Sequence, residues 1–408
     1  MNFSEFLFYF AGLIFILSLL FLFYIYIGYP VIVVIASKLI GKPAQKKEAY
    51  YPTVTIVIPA FNEESVIREK IENTLNLDYP KDKLQIIVCD DASVDKTKEI
   101  TESFADQGVI LSVGSTRTGK VGGINRGMSL ATGEIFLLTD ADILAEKEAL
   151  KELVANFADP QVGCVVAQTK MLSAKTSANE SSGGIYWKYE SVIRKSETNI
   201  HSSVAATGHF MAIRKENARP LPDNVIIDDF YLAVMTMQKR LRVIAEPKAV
   251  VWERPATTMS DEVIRRRRMT AGRFQIINMW QEYIAKLPPM LKFQVVSHKF
   301  LRLIIPQFMI LAFLANLYLS AHLLFAPGIV SPLLAQIIHL MMILQIIFYF
   351  MAATGAPLSK NDHKKKPLLL KLWTLPYYLC ATNFASLLGL YWHLTGKQTV
   401  FWQQSKRK

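Results

Sequence analysis

The sequence predicts an α/β domain, built on a mostly parallel sheet, with membrane helices on either side of it. Three observations predict it. Long apolar runs cluster near the two ends of the 408 residues. Between them, across residues 50–280, short β-rich apolar runs alternate with helical patterns, as in a parallel sheet covered by helices. Acidic clusters directly follow three of those runs. The composition excludes other classes. With 51% apolar residues the chain is too hydrophobic for disorder. Cys89, Cys164 and Cys380 lie too far apart for a disulfide scaffold or a cysteine zinc module.

Phe6 to Ile40 carries no charge before Lys38. A spanning helix needs about 20 such residues, and a secretory signal has a cationic start and a shorter core. Residues 1–40 therefore read as a retained transmembrane helix. Leu303–Phe325 and Pro332–Gly355 are equally apolar; Pro367–Trp392 is weaker, with Lys371, Pro376 and Asn383. Together they define a C-terminal membrane region, 303–394, followed by a basic tail, 395–408. Residues 285–302 mix cations with Phe, Val and Leu and read as an amphipathic helix on the membrane surface. Lys38, Lys42, Lys46 and Lys47 follow the first helix and place the middle of the chain in the cytoplasm. The basic loop at 360–366 and the basic tail ask for the same side, so Pro367–Trp392 is expected to be re-entrant or interfacial. Net charge is +12, yet the membrane helices argue against a nucleic-acid partner.

Within the soluble part, Val54–Pro59, Leu84–Cys89, Val109–Val113 and Glu134–Thr139 read as strands, each followed by a helix. Ligands bind beyond the carboxyl ends of such strands. Ala60, Phe61, Glu63 and Glu64 end the first, Asp90, Asp91 and Asp95 the second, and Asp140 and Asp142 the fourth. Three clusters at one sheet edge read as a site. Asp140 and Asp142 supply hard oxygen ligands suited to Mg2+ or Mn2+, although Asp142 could equally cap the helix that follows. Gly114 to Lys120 fits a P-loop spacing, but Val121 stands where that motif needs a hydroxyl. Asp228 and Asp229 open another helix, where one carboxylate can cap and the other act as general base. Arg265 to Arg268 form either a solvated basic stripe or a phosphate clamp.

These motifs, in this order, resemble the membrane-integrated family 2 inverting glycosyltransferases, which include cellulose, chitin, hyaluronan and poly-N-acetylglucosamine synthases. Ile58–Glu64, Cys89–Thr97, Thr118–Gly127, Ala131–Asp142, Ala206–Lys215 and Ile227–Ala233 carry the resemblance. It implies a GT-A, Rossmann-like domain. It also implies roles: Phe61 and Asp90 at the nucleoside base, with Ala60, Glu63 and Asp91 nearby, and Lys120 near the donor. Asp140 would touch nucleotide or donor sugar, and Asp142 a divalent cation. Gly208, His209 and Asp228 would lie on the acceptor side, Asp229 would be the base, and Arg265 and Arg268 would meet the diphosphate. One direct displacement would invert the anomeric carbon. The donor would be a nucleotide-sugar, uridine diphosphate favoured over guanosine diphosphate. The acceptor would be a growing glycan, with addition of one sugar to a membrane lipid as the alternative.

Two departures from the family pattern bear on that choice. Where processive members carry Gln-x-x-Arg-Trp, this chain has Arg265, Arg268 and Met269. Met lacks the stacking face of Trp. The family's Thr-Glu-Asp becomes Ile227-Asp228-Asp229. Trp402 to Arg407 resembles the terminal Trp-x-x-Thr-x-Arg of some members. The expected location is the cell (inner) membrane with the catalytic domain cytoplasmic.

Overall fold

A computed structural model describes residues 2–172, 182–254, 259–326, 328–359 and 368–396. Eight strands form one sheet: β1 (Val54–Ala60), β2 (Leu84–Asp90), β3 (Val109–Val113), β4 (Ile135–Thr139), β5 (Ile143–Ala145), β6 (Val162–Met171), β7 (Phe210–Arg214) and β8 (Arg242–Glu253). Their order is β3-β2-β1-β4-β7-β6-β8-β5. The first four are mutually parallel, β7 runs antiparallel to β4 and β6, and β8 is parallel to β6. The four strands read from the sequence thus form the parallel half, and β7 switches direction beside β4.

Side chains alternate across a strand, and here both faces are dry. Val57, Ile87, Cys89, Phe136 and Leu138 pack on one face. Ile56, Ile58, Ile86, Val88, Ile135 and Leu137 pack on the other. That is why these strands read as continuous apolar runs. The helices are α1 (Phe3–Phe23), α2 (Tyr29–Ile40), α3 (Ile67–Leu75), α4 (Thr97–Glu102), α5 (Gly119–Leu130), α6 (Ala149–Val154), α7 (Ser182–Ile200) and α8 (Asp228–Gln238). They continue as α9 (Met259–Asn278), α10 (Pro289–Val295), α11 (Ile305–Phe325), α12 (Pro332–Ser359) and α13 (Leu368–Leu394). Helix α5 sits tight on β1 and β2 because Gly123 and Gly127 face them. A Cβ at Gly127 would stand 2.4 Å from Val57 Cγ1.

Among the described residues, three helices are long and apolar enough to cross a membrane: Phe3–Ile40, Pro289–Phe325 and Pro332–Gly355. The first matches the expected bounds but is longer than a bilayer needs. A π-helical turn, Tyr24–Gly28, joins α1 to α2 without a break. Its 38 residues extend about 57 Å, nearly twice the ~30 Å hydrocarbon core. The excess is α2, whose Tyr29 and Val33 pack on Ile193 of α7. Residues 285–302 also differ from a helix lying free on a membrane surface. Leu291, Val295, Phe300 and Leu303 join the apolar core under the sheet, while Met290 and Phe293 stay exposed. Helix α13 is not among the three candidate spans. It packs along both α9 and the candidate span α12: Arg266 donates to the Tyr378 hydroxyl at 3.0 Å, Arg267 stacks on Trp392, Asn278 meets His393 at 2.9 Å, and Trp373 Nε1 donates to Thr354 Oγ1 at 3.0 Å. The basic loop at 360–366 and the Trp402–Arg407 match lie outside the described residues.

Candidate active site

Two crossed loops build the first wall. The loops after β1 and β2 brace each other through backbone and short polar side chains. Asn62 N–H donates to Ser93 Oγ (2.9 Å), Val94 N–H to Asn62 Oδ1 (2.9 Å) and Glu63 N–H to Thr97 Oγ1 (2.7 Å). Asn62 and Ala92 both adopt left-handed backbone at φ 54° and 61°, a strained choice for Ala in particular. The adjacent acids divide the work. Asp91 is spent on structure: it accepts from Thr118 N–H and Oγ1 at 2.8 Å and from Gly119 N–H at 2.7 Å, fixing the start of α5. Asp90 is buried too, yet only its Oδ2 is used, by Ser93 N–H at 3.1 Å. Its Oδ1 has no hydrogen-bond partner among the described residues. A buried orphan acceptor is costly unless a ligand donor meets it. Phe61 stands close by under the Arg117 guanidinium, 4.0 Å from the ring centre.

Lys120 joins the two halves of the site. Helix α5 delivers its Nζ to 2.8 Å from Asp140 Oδ1 and 3.0 Å from Asp228 Oδ2. Burial opposes the charge on Lys120, but Asp140 and Asp228 outweigh it and hold its pKa above the ordinary value. Asp140 is likewise opposed by burial and held below the usual carboxylate range by Lys120, with His209 and Arg268 adding to it. The lysine of the Gly114–Lys120 run is thus an ion-pair hub rather than a P-loop cation.

Asp229 opens α8. Its Oδ1 accepts from Phe230 N–H at 2.7 Å and its Oδ2 from Gly208 N–H at 3.0 Å. Burial and the neighbouring Asp228 raise its pKa, against the pull of Lys120 and those two N–H groups. A carboxylate whose pKa is raised is a stronger proton acceptor than an ordinary one. Gly208 lies close against Asp229, and a Cβ there would stand 3.2 Å from Asp229 Cβ, a tight contact. His209 faces Thr169 Oγ1 at 3.1 Å and Glu253 at 3.7 Å, and Arg265 closes on the same Glu253 at 2.5 Å. Of the four consecutive arginines, three therefore contact protein partners: Arg265 meets Glu253, Arg266 meets Tyr378 and Arg267 meets Trp392. Arg268 acts on Asp140 through its charge, helping to lower its pKa.

Two contributors escape the sequence reading. Glu253 ends β8 and obeys the strand-end rule that found the other acids. Lys70 sits in the middle of α3 and is fully buried, its Nζ donating to Thr139 Oγ1 at 2.8 Å and to the Ile143 carbonyl at 2.6 Å. It clasps the two residues flanking Asp140-Ala141-Asp142, and burial lowers its pKa to about 7. The available signal was position: Lys70 shares a helix face with buried Ile67, Ile71 and Thr74.

Residues 55–219 match the family described as Glycosyl transferase family 2. The chain is 34% identical over 128 residues to a beta-monoglucosyldiacylglycerol synthase of Nostoc sp., covering 30% of this chain and 27% of that one. The poly-beta-1,6-N-acetyl-D-glucosamine synthase of Staphylococcus aureus is 22% identical over 229 residues, covering 55% of each. The chain spans between about a quarter and just over half the length of these curated relatives. The fold is that of the mannosyltransferase PcManGT from Pyrobaculum calidifontis, solved in complex with GDP-Man and Mn2+. The TM-score is 0.67 at 24% identity, over 94% of this chain and all of that one. The sheet thus has a GT-A-like architecture, mixed with a parallel half.

Proposed function

We propose that this protein is a membrane-integrated inverting glycosyltransferase that extends a β-linked glycan from a nucleotide-sugar on the cytoplasmic face of the cell membrane. The observation that carries the reading is Asp229, a carboxylate of raised pKa fixed by two backbone N–H groups beside the Lys120–Asp140 pair. Asp229 takes the proton of the acceptor hydroxyl as its oxygen attacks the anomeric carbon, and the diphosphate leaves from the opposite face. Lys120 and Arg268 offer positive charge to that leaving group. Asp90 Oδ1 awaits a base N–H, and the Phe61 ring offers a stacking face.

The donor set also fits a divalent cation. Asp140 and Asp142 bring two carboxylates, hard oxygen donors, to the loop after β4. That suits Mg2+ or Mn2+, which keep waters and take further ligands from phosphate oxygens. When bound, the cation would neutralise charge developing on the diphosphate, with Asp142 as its protein ligand. A uridine diphosphate sugar is the first donor to try, and the guanosine nucleotide bound to PcManGT makes the second.

A second reading, one sugar added to a membrane lipid, is favoured by a specific observation. Met269 replaces the stacking Trp of processive enzymes, and Arg266 and Arg267 are committed to α13. The likeness to a glucosyldiacylglycerol synthase supports it as well. Product analysis decides. Purified protein in lipid receives Mg2+ or Mn2+ and a radiolabelled nucleotide-sugar panel, with Asp229→Asn in parallel. A long polymer absent from the mutant supports the glycan synthase. A single sugar on extractable lipid supports the second reading, and no transfer from any donor overturns both. Loss of the base should cost about 10²–10⁴-fold in rate with nucleotide affinity retained.

A further inference from the structure

The catalytic base is tied to the membrane helices through one buried carboxylate. Glu197 lies in the last turn of α7 and is fully buried. Its Oε1 accepts from the Tyr29 hydroxyl of α2 and lies 2.6 Å from His298 Nδ1, in the segment leading into α11. Its Oε2 accepts from Val204 N–H at 3.2 Å. The other ring nitrogen of His298 is 3.1 Å from Glu190, which also pairs with Arg302. Both membrane-side partners stand at irregular turns. Tyr29 follows the π-helical turn Tyr24–Gly28, and His298 lies inside a second one, Val296–Phe300. Tyr24 and Ser297 link those two turns at 2.7 Å. Single π turns within helices are frequently found at functional sites.

From Val204 the chain has four residues to reach Gly208, whose N–H donates to Asp229 Oδ2. The stretch has little slack. Ser203 N–H is held by the Val243 carbonyl at 2.8 Å and Val243 N–H by Ser202 Oγ at 3.0 Å. A Cβ on Gly208 would stand only 3.2 Å from Asp229 Cβ. We infer that Glu197 is a positioning residue: it sets the loop 201–208 from the membrane helices and so holds the Gly208 N–H on the catalytic base. This rests on the transferase reading above. The N–H favours the charged form of Asp229, as does Lys120 from α5; Asp228 on the same helix opposes it, and Asp140 and Arg268 act across Lys120. A displaced loop therefore leaves Asp229 with a higher pKa and a misplaced oxygen.

The test uses the full chain in lipid nanodiscs, with the donor that the wild type uses, and reads kcat, donor KM and the kcat–pH profile. Glu197→Ala should lower kcat about 10²-fold, the cost of roughly 1 Å of misplacement, with donor KM changed by no more than about twofold. Its acid limb should move to higher pH. Tyr29→Phe, which removes one hydroxyl and keeps the packing, should shift both readouts in the same direction by less. Glu197→Gln keeps an oxygen for Val204 and should recover part of the rate. Unchanged kcat and acid limb in Glu197→Ala and Tyr29→Phe overturn the inference. So does loss of donor binding together with kcat, which would mark a purely structural role. A wild type that transfers nothing sinks the transferase reading and the inference with it. A wild type that transfers while the variants match it sinks the inference alone.

Discussion

Lys120 illustrates how one residue decides what its neighbours can do. Its ammonium separates Asp140 from Asp228 and is surrounded by acid. Lys120→Met leaves those carboxylates facing one another across a hydrocarbon chain. Asp140, now held below its ordinary pKa, would then rise. The sign for stability follows. A carboxylate depressed in the fold contributes stability above its unfolded pKa of about 3.9 and loses it as pH falls through the folded value. The wild type should keep its thermal midpoint well into acid, and Lys120→Met should lose it at higher pH. Thermal unfolding between pH 3 and 6 checks this; coincident curves would show that Lys120 holds no charge in place. The residue type at position 120 was legible in the sequence, but its job was not. The spacing Gly114 to Lys120 points toward phosphate, whereas two carboxylates from distant strand and helix ends claim the ammonium first. Asp90 and Asp91 make the same point, since adjacent acids look alike until the start of α5 takes both oxygens of one.

At the scale of elements, the parallel half of the sheet was legible because strands buried on both faces are written as unbroken apolar runs. The acids at their ends were legible because such strands present their carboxyl ends to ligand. Lys70 was hidden because a lone lysine in a polar-looking helix gives no sign of burial unless its helix face is traced. Helix α5 shows what a glycine pattern means physically. Gly123 and Gly127 lie one turn apart and let the helix axis approach β1 and β2. Gly127→Ala would drive a methyl into Val57, with Cγ1 at 2.4 Å and Cγ2 at 2.8 Å. Overpacking of this kind costs about 1–3 kcal/mol. Lys120 and the Asp91-held Gly119 sit at the end of the same helix, so the displacement reaches the ion pairs. Gly127→Ala should therefore lower both the thermal midpoint and kcat, whereas a helix insulated from the site would lose the midpoint alone. Measuring both on one preparation separates the cases.

For the whole molecule, the arrangement of the last helix follows from what holds α9. Helix α9 carries Arg265 to Arg268, and Arg265 pairs with Glu253 at the end of β8, which ties the helix to the sheet. Helix α13 follows it from Tyr378 to His393, and Gly389 fits so closely that a Cβ would be 2.5 Å from Thr270 Cβ. We expect a helix bound in this way over about four turns to stay on the side of the sheet domain rather than cross the bilayer. Hydropathy alone could not decide this, because Lys371, Pro376 and Asn383 leave the segment between a span and a surface helix. The positive charges at either end had already asked for one side, and the contacts with α9 give that request a structural means. Cysteines at Ser359→Cys and Thr395→Cys, in a Cys380→Ser background, flank α13. A membrane-impermeant maleimide should label both from the face that exposes the catalytic domain and neither from the other, in sealed vesicles of defined orientation. Labelling of the two from opposite faces would mean that α13 spans, and that its contacts with the arginine helix do not hold in the bilayer.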